Sequence, residues 1–254
     1  MALSSSDRFL GRVEAYAKAR PTYPAAAIDL LAARCGLGPG AIAVDLGSGT
    51  GILSALLLQR GARVFGIEPN REMRACSERA LGGDFHAEDG TAEDTHMPDS
   101  TFDILVAGQA FHWFDPHKTR AEALRILKPG AWAALLWNER PKAGVPFLED
   151  YEALLRRLAP EYDAVTRLRA QEDGIRRFFG HPPERATFAH RQLLDFEGLA
   201  GRVKSASYAP VATSPEYEPL MAGLREVFDR HHRQGKVVFP YETLVFFGQP
   251  DRRA

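Results

Sequence analysis

Only two cysteines, Cys35 and Cys76, occur in 254 residues, and they stand far apart. So sparse a set supplies no disulfide framework, and a reduced, cytoplasmic protein is the simplest expectation. Charge of one sign is not in excess either: 32 Lys and Arg face 33 Asp and Glu, a formal net charge of −1. No global basic field is available to draw in nucleic acid or an anionic membrane. Nowhere do roughly eighteen apolar residues run together, so no helical membrane span is expected. Met1 to Asp7 lacks a basic start and a long apolar run, so no secretory signal is expected there. Internal repeats and low-complexity tracts are also missing. What remains is length enough for one sizeable α/β domain with a large core.

One stretch organises that domain. Ala41 to Leu46 is a short apolar run containing Asp45; it ends in Gly47-Ser48-Gly49-Thr50-Gly51, and an apolar-periodic segment from Ile52 to Leu58 follows at once. This order reads as strand, tight turn, helix. Glycines there allow positive φ and let a ligand approach the main chain without meeting a Cβ. In an open parallel sheet, such a turn at a helix N-terminus is where nucleotide-like ligands bind. A dinucleotide fingerprint would need its third glycine at position 52, where Ile52 stands, which weighs against an NAD-dependent oxidoreductase. A second apolar run, Arg63 to Ile67, ends in Glu68, a carboxylate placed to accept both hydroxyls of a ribose.

With those residues in place, the chain resembles the class I S-adenosylmethionine-dependent methyltransferases: Val44 to Gly51 is similar to their first motif and Gly66-Ile67-Glu68-Pro69 to their second. The resemblance covers roughly residues 9–138 and is nearest to the small-molecule subgroup that includes trans-aconitate methyltransferase-like proteins. It implies S-adenosylmethionine as cofactor, held by Asp45, Gly47, Ser48, Gly49, Thr50, Glu68, Pro69, Ala92 and Glu93, with Gln109 and Ala110 closing the pocket. Met73 is either core or the residue that packs on the adenine. Where the family often places an acid for the adenine amino group, before Ala92-Glu93, this chain has Thr91; either Thr91 serves or Asp89 substitutes.

The remaining elements follow in order. Phe9 to Pro24 predicts a helix stopped by Pro21, with Tyr16, Arg20 and Tyr23 either packing on the fold or forming a lid over cofactor and substrate. The resemblance favours the lid, because many small-molecule members carry a similar lead-in. Helices are expected over 25–34, 53–60, 70–81 with Asn70 as N-cap, and 117–127, the last stopped by Lys128-Pro129-Gly130. Strands are expected at 85–88, 102–108 and 131–137. Five such alternations predict a doubly wound, mostly parallel sheet. Charged helical segments at 148–158 and 163–179 predict a cap over about 141–186, inserted after the fifth strand. Strands at 188–194 and 236–247 bring the sheet to seven, and the resemblance implies that the last slots into the sheet edge. The whole of 1–254 is read as one methyltransferase domain, with a lid helix over 1–24.

Methyl transfer requires a nucleophile held against the methyl group, exclusion of water, and a proton acceptor where the nucleophile must lose a proton. Phe111, Trp113 and Phe114, at the tip of the fourth strand, offer an aromatic lining for a cation and a small substrate. Between them lies His112, the candidate catalytic base for a hydroxyl; the alternatives are a structural histidine or a binder of a carboxylate. His112, Asp115 and His117 match no metal-ligand spacing, so no metal is expected. Nucleic-acid amino-methylating enzymes of this fold usually show an Asp/Asn-Pro-Pro-Tyr-like run here; Gln109-Ala110-Phe111-His112 departs from it. That departure and the neutral charge balance point to a small-molecule substrate, with no nucleic-acid or membrane partner; oligomeric state is left open.

Overall fold

The computed structural model describes residues 20–141, 143–163 and 172–251. Its elements are α1 (Ala25–Arg34), β1 (Ile42–Leu46), α2 (Ile52–Leu58), β2 (Arg63–Ile67), α3 (Arg71–Leu81), β3 (Phe85–Glu88), β4 (Phe102–Gly108), α4 (Pro116–Ile126), β5 (Leu127–Glu139), α5 (Pro146–Leu158), α6 (Glu172–Phe179), β6 (Glu184–Leu194), α7 (Phe196–Lys204), α8 (Tyr217–His231) and β7 (Val237–Gly248). A single turn of 3-10 helix, Phe111–Trp113, follows β4.

The seven strands form one sheet in the order β3-β2-β1-β4-β5-β7-β6. β1 pairs in parallel with β2 and with β4, β2 with β3, and β4 with β5. Strand order reverses between β1 and β4, which creates the crevice where this class of sheet holds ligands. Successive residues of β1, β4 and β5 enter different core clusters: Ala43, Ile104, Val106, Ala134 and Leu136 join one, while Val44, Leu105, Ala107, Ala133 and Leu135 join the other. Alternate side chains of a strand point to opposite faces, so both faces of these strands are buried.

Local chemistry explains the element ends. Asn70 caps α3 by accepting from the Met73 N–H at 3.0 Å, and Asp115 caps α4 by accepting from His117 and Lys118 N–H groups. Two expectations need correction. The helix α4 ends at Ile126, just before Lys128-Pro129-Gly130 as expected, but the strand does not wait until Ala131: β5 begins directly at Leu127. The pairing of β4 with β5 steps from Phe102–Leu127 to Ile104–Trp132, so β5 passes extra residues there, with Gly130 at φ +78° and Lys128 tied to Asp103 at 2.7 Å. The last strand does not take the sheet edge either: β7 lies between β5 and β6, and β6 is the edge.

The chain divides into two compact units. The larger comprises Thr22–Asn138, Gln171–Phe188 and the residues from Thr243 on. In it α6 places Phe178 edge-on to Phe111, ring centroids 5.4 Å apart. The other holds Arg20 and Pro21, the described residues of Glu139–Ala170, and Ala189–Glu242. Its core joins α5, α7, α8 and the first half of β7 through Tyr151, Leu155, Val203, Leu224 and Phe239. The segment expected as a cap is thus shared, α5 with one unit and α6 with the other. Residues 1–19, which include Tyr16 and most of the expected lid, and 164–171 lie outside the described residues.

Candidate ligand-binding site at the glycine loop

Gly47, Gly49 and Gly51 all adopt left-handed backbone, with φ of +64°, +57° and +82°. Gly51 is the residue that turns the loop into α2. The loop is sewn down by the Gly47 and Ser48 N–H groups, which donate to the Ile67 carbonyl at 2.8 and 3.1 Å. A side chain at position 47 would put its Cβ 2.7 Å from the Ala110 Cβ, so the loop and the β4 tip meet there. This is the adjacency that the strand order predicts.

Glu68, at the end of β2, is buried and aimed into this loop. One carboxylate oxygen accepts from the Gly49 N–H at 3.0 Å, the other from the Asn70 N–H at 2.9 Å. Burial raises its carboxyl above the ordinary range, against the opposing pull of these two donors and of Arg74. The Arg74 guanidinium also donates to the Glu68 carbonyl and to Asp89. Glu68 therefore fixes the loop's shape while each oxygen retains a lone pair for a ligand hydroxyl.

Asp45 sits beneath the loop with one oxygen accepting from the Ser54 hydroxyl at 2.7 Å. Its other oxygen, the Ser48 hydroxyl and the Thr50 hydroxyl are buried with no hydrogen-bond partner among the described residues. Three orphaned polar atoms, one at the end of β1 and two on the loop, would each cost about 1–3 kcal/mol if left so. They fit a polar ligand with donors and acceptors of its own, as a nucleoside joined to an amino acid has.

Burial also pushes the Asp45 carboxyl up to about 7. The native state then keeps a proton that the unfolded chain gives up near pH 4, so this contribution is complete below about pH 4 and is lost as pH rises through about 7, in all on the order of 4 kcal/mol. Asp45→Asn should hence gain stability relative to wild type between pH 5 and pH 8. Equal slopes of melting temperature against pH for the two proteins would refute this.

The β4 tip supplies the opposite wall. Gln109 is held at φ +58°, an uncommon conformation for a side chain of its size. Its N–H donates to the Leu136 carbonyl and its amide to the Asn138 carbonyl at 3.2 Å. Ala110 is buried against Gly47. Phe111, expected to line the substrate, is only 3% exposed and is packed edge-on by Phe114, Trp137 and Phe178, so it belongs to the core. His112 and Trp113 are half-buried neighbours with ring centroids 4.8 Å apart.

Other expected residues are placed as follows. Met73 is buried near Gly49, its sulfur 3.8 Å from where a Cβ would stand. Pro69 is exposed beside Glu68. Thr91 is exposed and closes a turn with Asp94, its hydroxyl accepting at 3.2 Å. Ala92 is core, and Glu93 accepts from the Asp115 N–H at 2.8 Å, tying the loop after β3 to the β4 tip. Tyr23 is buried with its hydroxyl against Gly108. Arg20 falls in the other unit, donating to the Ser205 carbonyl at 2.8 Å. Sequence reasoning missed Ser54 and Asn138. Asn138 donates to the Thr22 carbonyl and accepts from the Thr243 hydroxyl at 2.6 Å; only the hydrophilic end of an apolar strand could have marked it.

Residues 44–135 match the methyltransferase domain family. An uncharacterized methyltransferase of Mycobacterium tuberculosis is 39% identical over 134 residues, 52% of this chain and 52% of that protein. The chain thus spans about half the length of the curated mycobacterial relatives it matches. An uncharacterized methyltransferase-like protein of Schizosaccharomyces pombe is 24% identical over 244 residues, 93% of each chain. Among solved structures, a proposed type II methyltransferase from Anaeromyxobacter dehalogenans superposes with a TM-score of 0.67 at 20% identity, over 91% of this chain and 97% of that one. At that identity the likeness is one of fold.

Proposed function

We propose, from the match of residues 44–135 to the methyltransferase domain family, that the protein moves a methyl group from S-adenosylmethionine to a small-molecule acceptor, at an oxygen of a carboxylate or hydroxyl. The observation that carries this reading is Glu68, whose carboxylate is seated between the glycine loop and the start of α3. When bound, S-adenosylmethionine supplies an electrophilic methyl on a sulfonium and leaves as S-adenosylhomocysteine, the displaced electron pair on sulfur.

The chain's own residues position and exclude. Glu68 takes the sugar hydroxyls; Asp45, Ser48 and Thr50 offer the polar atoms that lack partners; Gln109 and Ala110 close the wall. Positioning of this kind contributes at most about 7–11 kcal/mol to the barrier. Where the acceptor is a hydroxyl, His112 takes its proton; a carboxylate needs no base. No helix among the described residues is long and apolar enough to cross a membrane. The neutral charge balance and the two free cysteines support a small-molecule substrate in the cytoplasm.

Two experiments test this. Calorimetry should detect S-adenosylhomocysteine binding by wild type, and its absence removes the reading. Cell extract incubated with methyl-labelled cofactor should yield a labelled small molecule by mass spectrometry. Binding without labelled product across a broad metabolite panel would instead make the protein a cofactor-binding regulator. With the acceptor in hand, His112→Gln should lower kcat by about a hundredfold or more for a hydroxyl and leave it nearly unchanged for a carboxylate.

A further inference from the structure

The smaller unit buries two arginines, Arg140 and Arg202, and among the described residues only Arg140 has a carboxylate partner. Arg140, its side chain 11% exposed, pairs with Glu152 at 3.2 Å and donates to the Tyr162 hydroxyl at 2.5 Å. Its guanidinium lies 5.5 Å from the Tyr151 ring. Arg202, on α7, is 7% exposed and has no carboxylate within salt-bridge distance among the described residues. Its Nε donates to the Tyr241 hydroxyl at 3.1 Å, which in turn donates to Gln192 at 2.9 Å. Phe239 and Tyr241 face the guanidinium at 5.9 and 6.0 Å. Both arginines act electrostatically on Tyr151 and Tyr208.

Phenols do not neutralise them. Burial holds the Tyr151 and Tyr162 hydroxyls above the ordinary phenol range, and therefore protonated. Among the described residues Glu152, paired with Arg140, is the only carboxylate in salt-bridge reach of either arginine, and the exposed Arg156 also claims it at 3.0 Å. An arginine this buried is seldom left without a counter-charge, because desolvating it is costly. The tether through Nε fixes the plane of the Arg202 fork. Among the described residues its two terminal nitrogens have no hydrogen-bond acceptor, and these are the donors that match a carboxylate in bidentate fashion.

We propose that Arg202, with Arg140 and the tyrosines around them, forms a receptor for a carboxylate of the small-molecule ligand. One unmatched positive charge suits a singly charged group better than a phosphate dianion. A carboxylate gripped in this way is a weakened nucleophile, so it anchors the ligand and is not the oxygen that reacts. Taking that ligand to be the methyl acceptor rests on the function proposed above; the receptor itself does not.

The test is calorimetry on the full chain with S-adenosylhomocysteine present, using acetate, benzoate, their neutral amides and inorganic phosphate as probes. Wild type should bind acetate or benzoate at least about tenfold more tightly than the matching amide and more tightly than phosphate. Arg202→Gln should abolish that preference while leaving S-adenosylhomocysteine affinity unchanged. Tyr241→Phe, which keeps the ring and frees the fork, should weaken the carboxylate severalfold and serves if Arg202→Gln does not fold. No preference for carboxylate in wild type, a preference for phosphate, or carboxylate affinity intact in the folded variants would overturn the proposal. Carboxylate binding without S-adenosylhomocysteine binding would overturn the methyl-transfer reading and leave the receptor standing.

Discussion

Glu68→Ala should weaken S-adenosylhomocysteine binding by more than about tenfold and lower the melting temperature as well. The substitution removes the group expected to take the sugar hydroxyls. It also strips the acceptor from two main-chain donors, the N–H groups of Gly49 and Asn70. Each buried donor left bare costs about 1–3 kcal/mol, and about 1.4 kcal/mol is a factor of ten in affinity. The loop would then no longer be held in its binding shape. Glu68→Gln separates the two roles: its single amide oxygen can serve one N–H only, so its affinity and stability should fall between those of alanine and wild type. Calorimetry and thermal melts of all three proteins read both quantities. Affinity within twofold of wild type in Glu68→Ala would show that the ligand lies elsewhere.

The second large effect is steric. Gly47→Ala puts a Cβ 2.7 Å from the Ala110 Cβ and 3.2 Å from the Phe114 ring. Neither neighbour is the free end of a flexible side chain. Left-handed backbone at φ +64° adds roughly 1–2 kcal/mol of its own for a residue with a Cβ. The loop and the β4 tip must therefore spread, and both walls of the proposed site move; cofactor affinity should drop by about a hundredfold. Gly40→Ala supplies the control. Gly40 has φ +82° and open space where its Cβ would stand, so it carries the backbone strain without the collision. It should lose stability by about the same 1–2 kcal/mol and bind the cofactor as wild type does. Equal losses of affinity in the two variants would mean that strain, and not the fit of loop to strand tip, governs binding.

Legibility differed from element to element for physical reasons. β2 and β4 were readable to the residue because each is a short, mostly apolar run between turn residues, and the N-cap of α3 because Asn70 must satisfy a nearby N–H. β5 was misread at its start: Lys-Pro-Gly does follow the helix, but the strand already begins at Leu127, paired with Phe102, and these residues are the irregular stretch before pairing resumes at Trp132. The same competition moved Phe111. Its place beside His112 suggested a pocket lining, yet Phe114, Trp137 and Phe178 converge on it from remote parts of the chain. Sequence spacing has no access to such convergence.

The amino-acid sequence alone determined the sheet class, the glycine turn and the acid at the tip of β2, since each rests on the conformational limits of residues adjacent in the chain. Tertiary structure alone decided that β7 lies inside the sheet, that Glu68 reaches the loop's N–H groups, and that Arg140 and Arg202 are buried around the same tyrosines. Those outcomes depend on burial and pairing between segments dozens of residues apart, where desolvation and packing, not local propensity, set the energy.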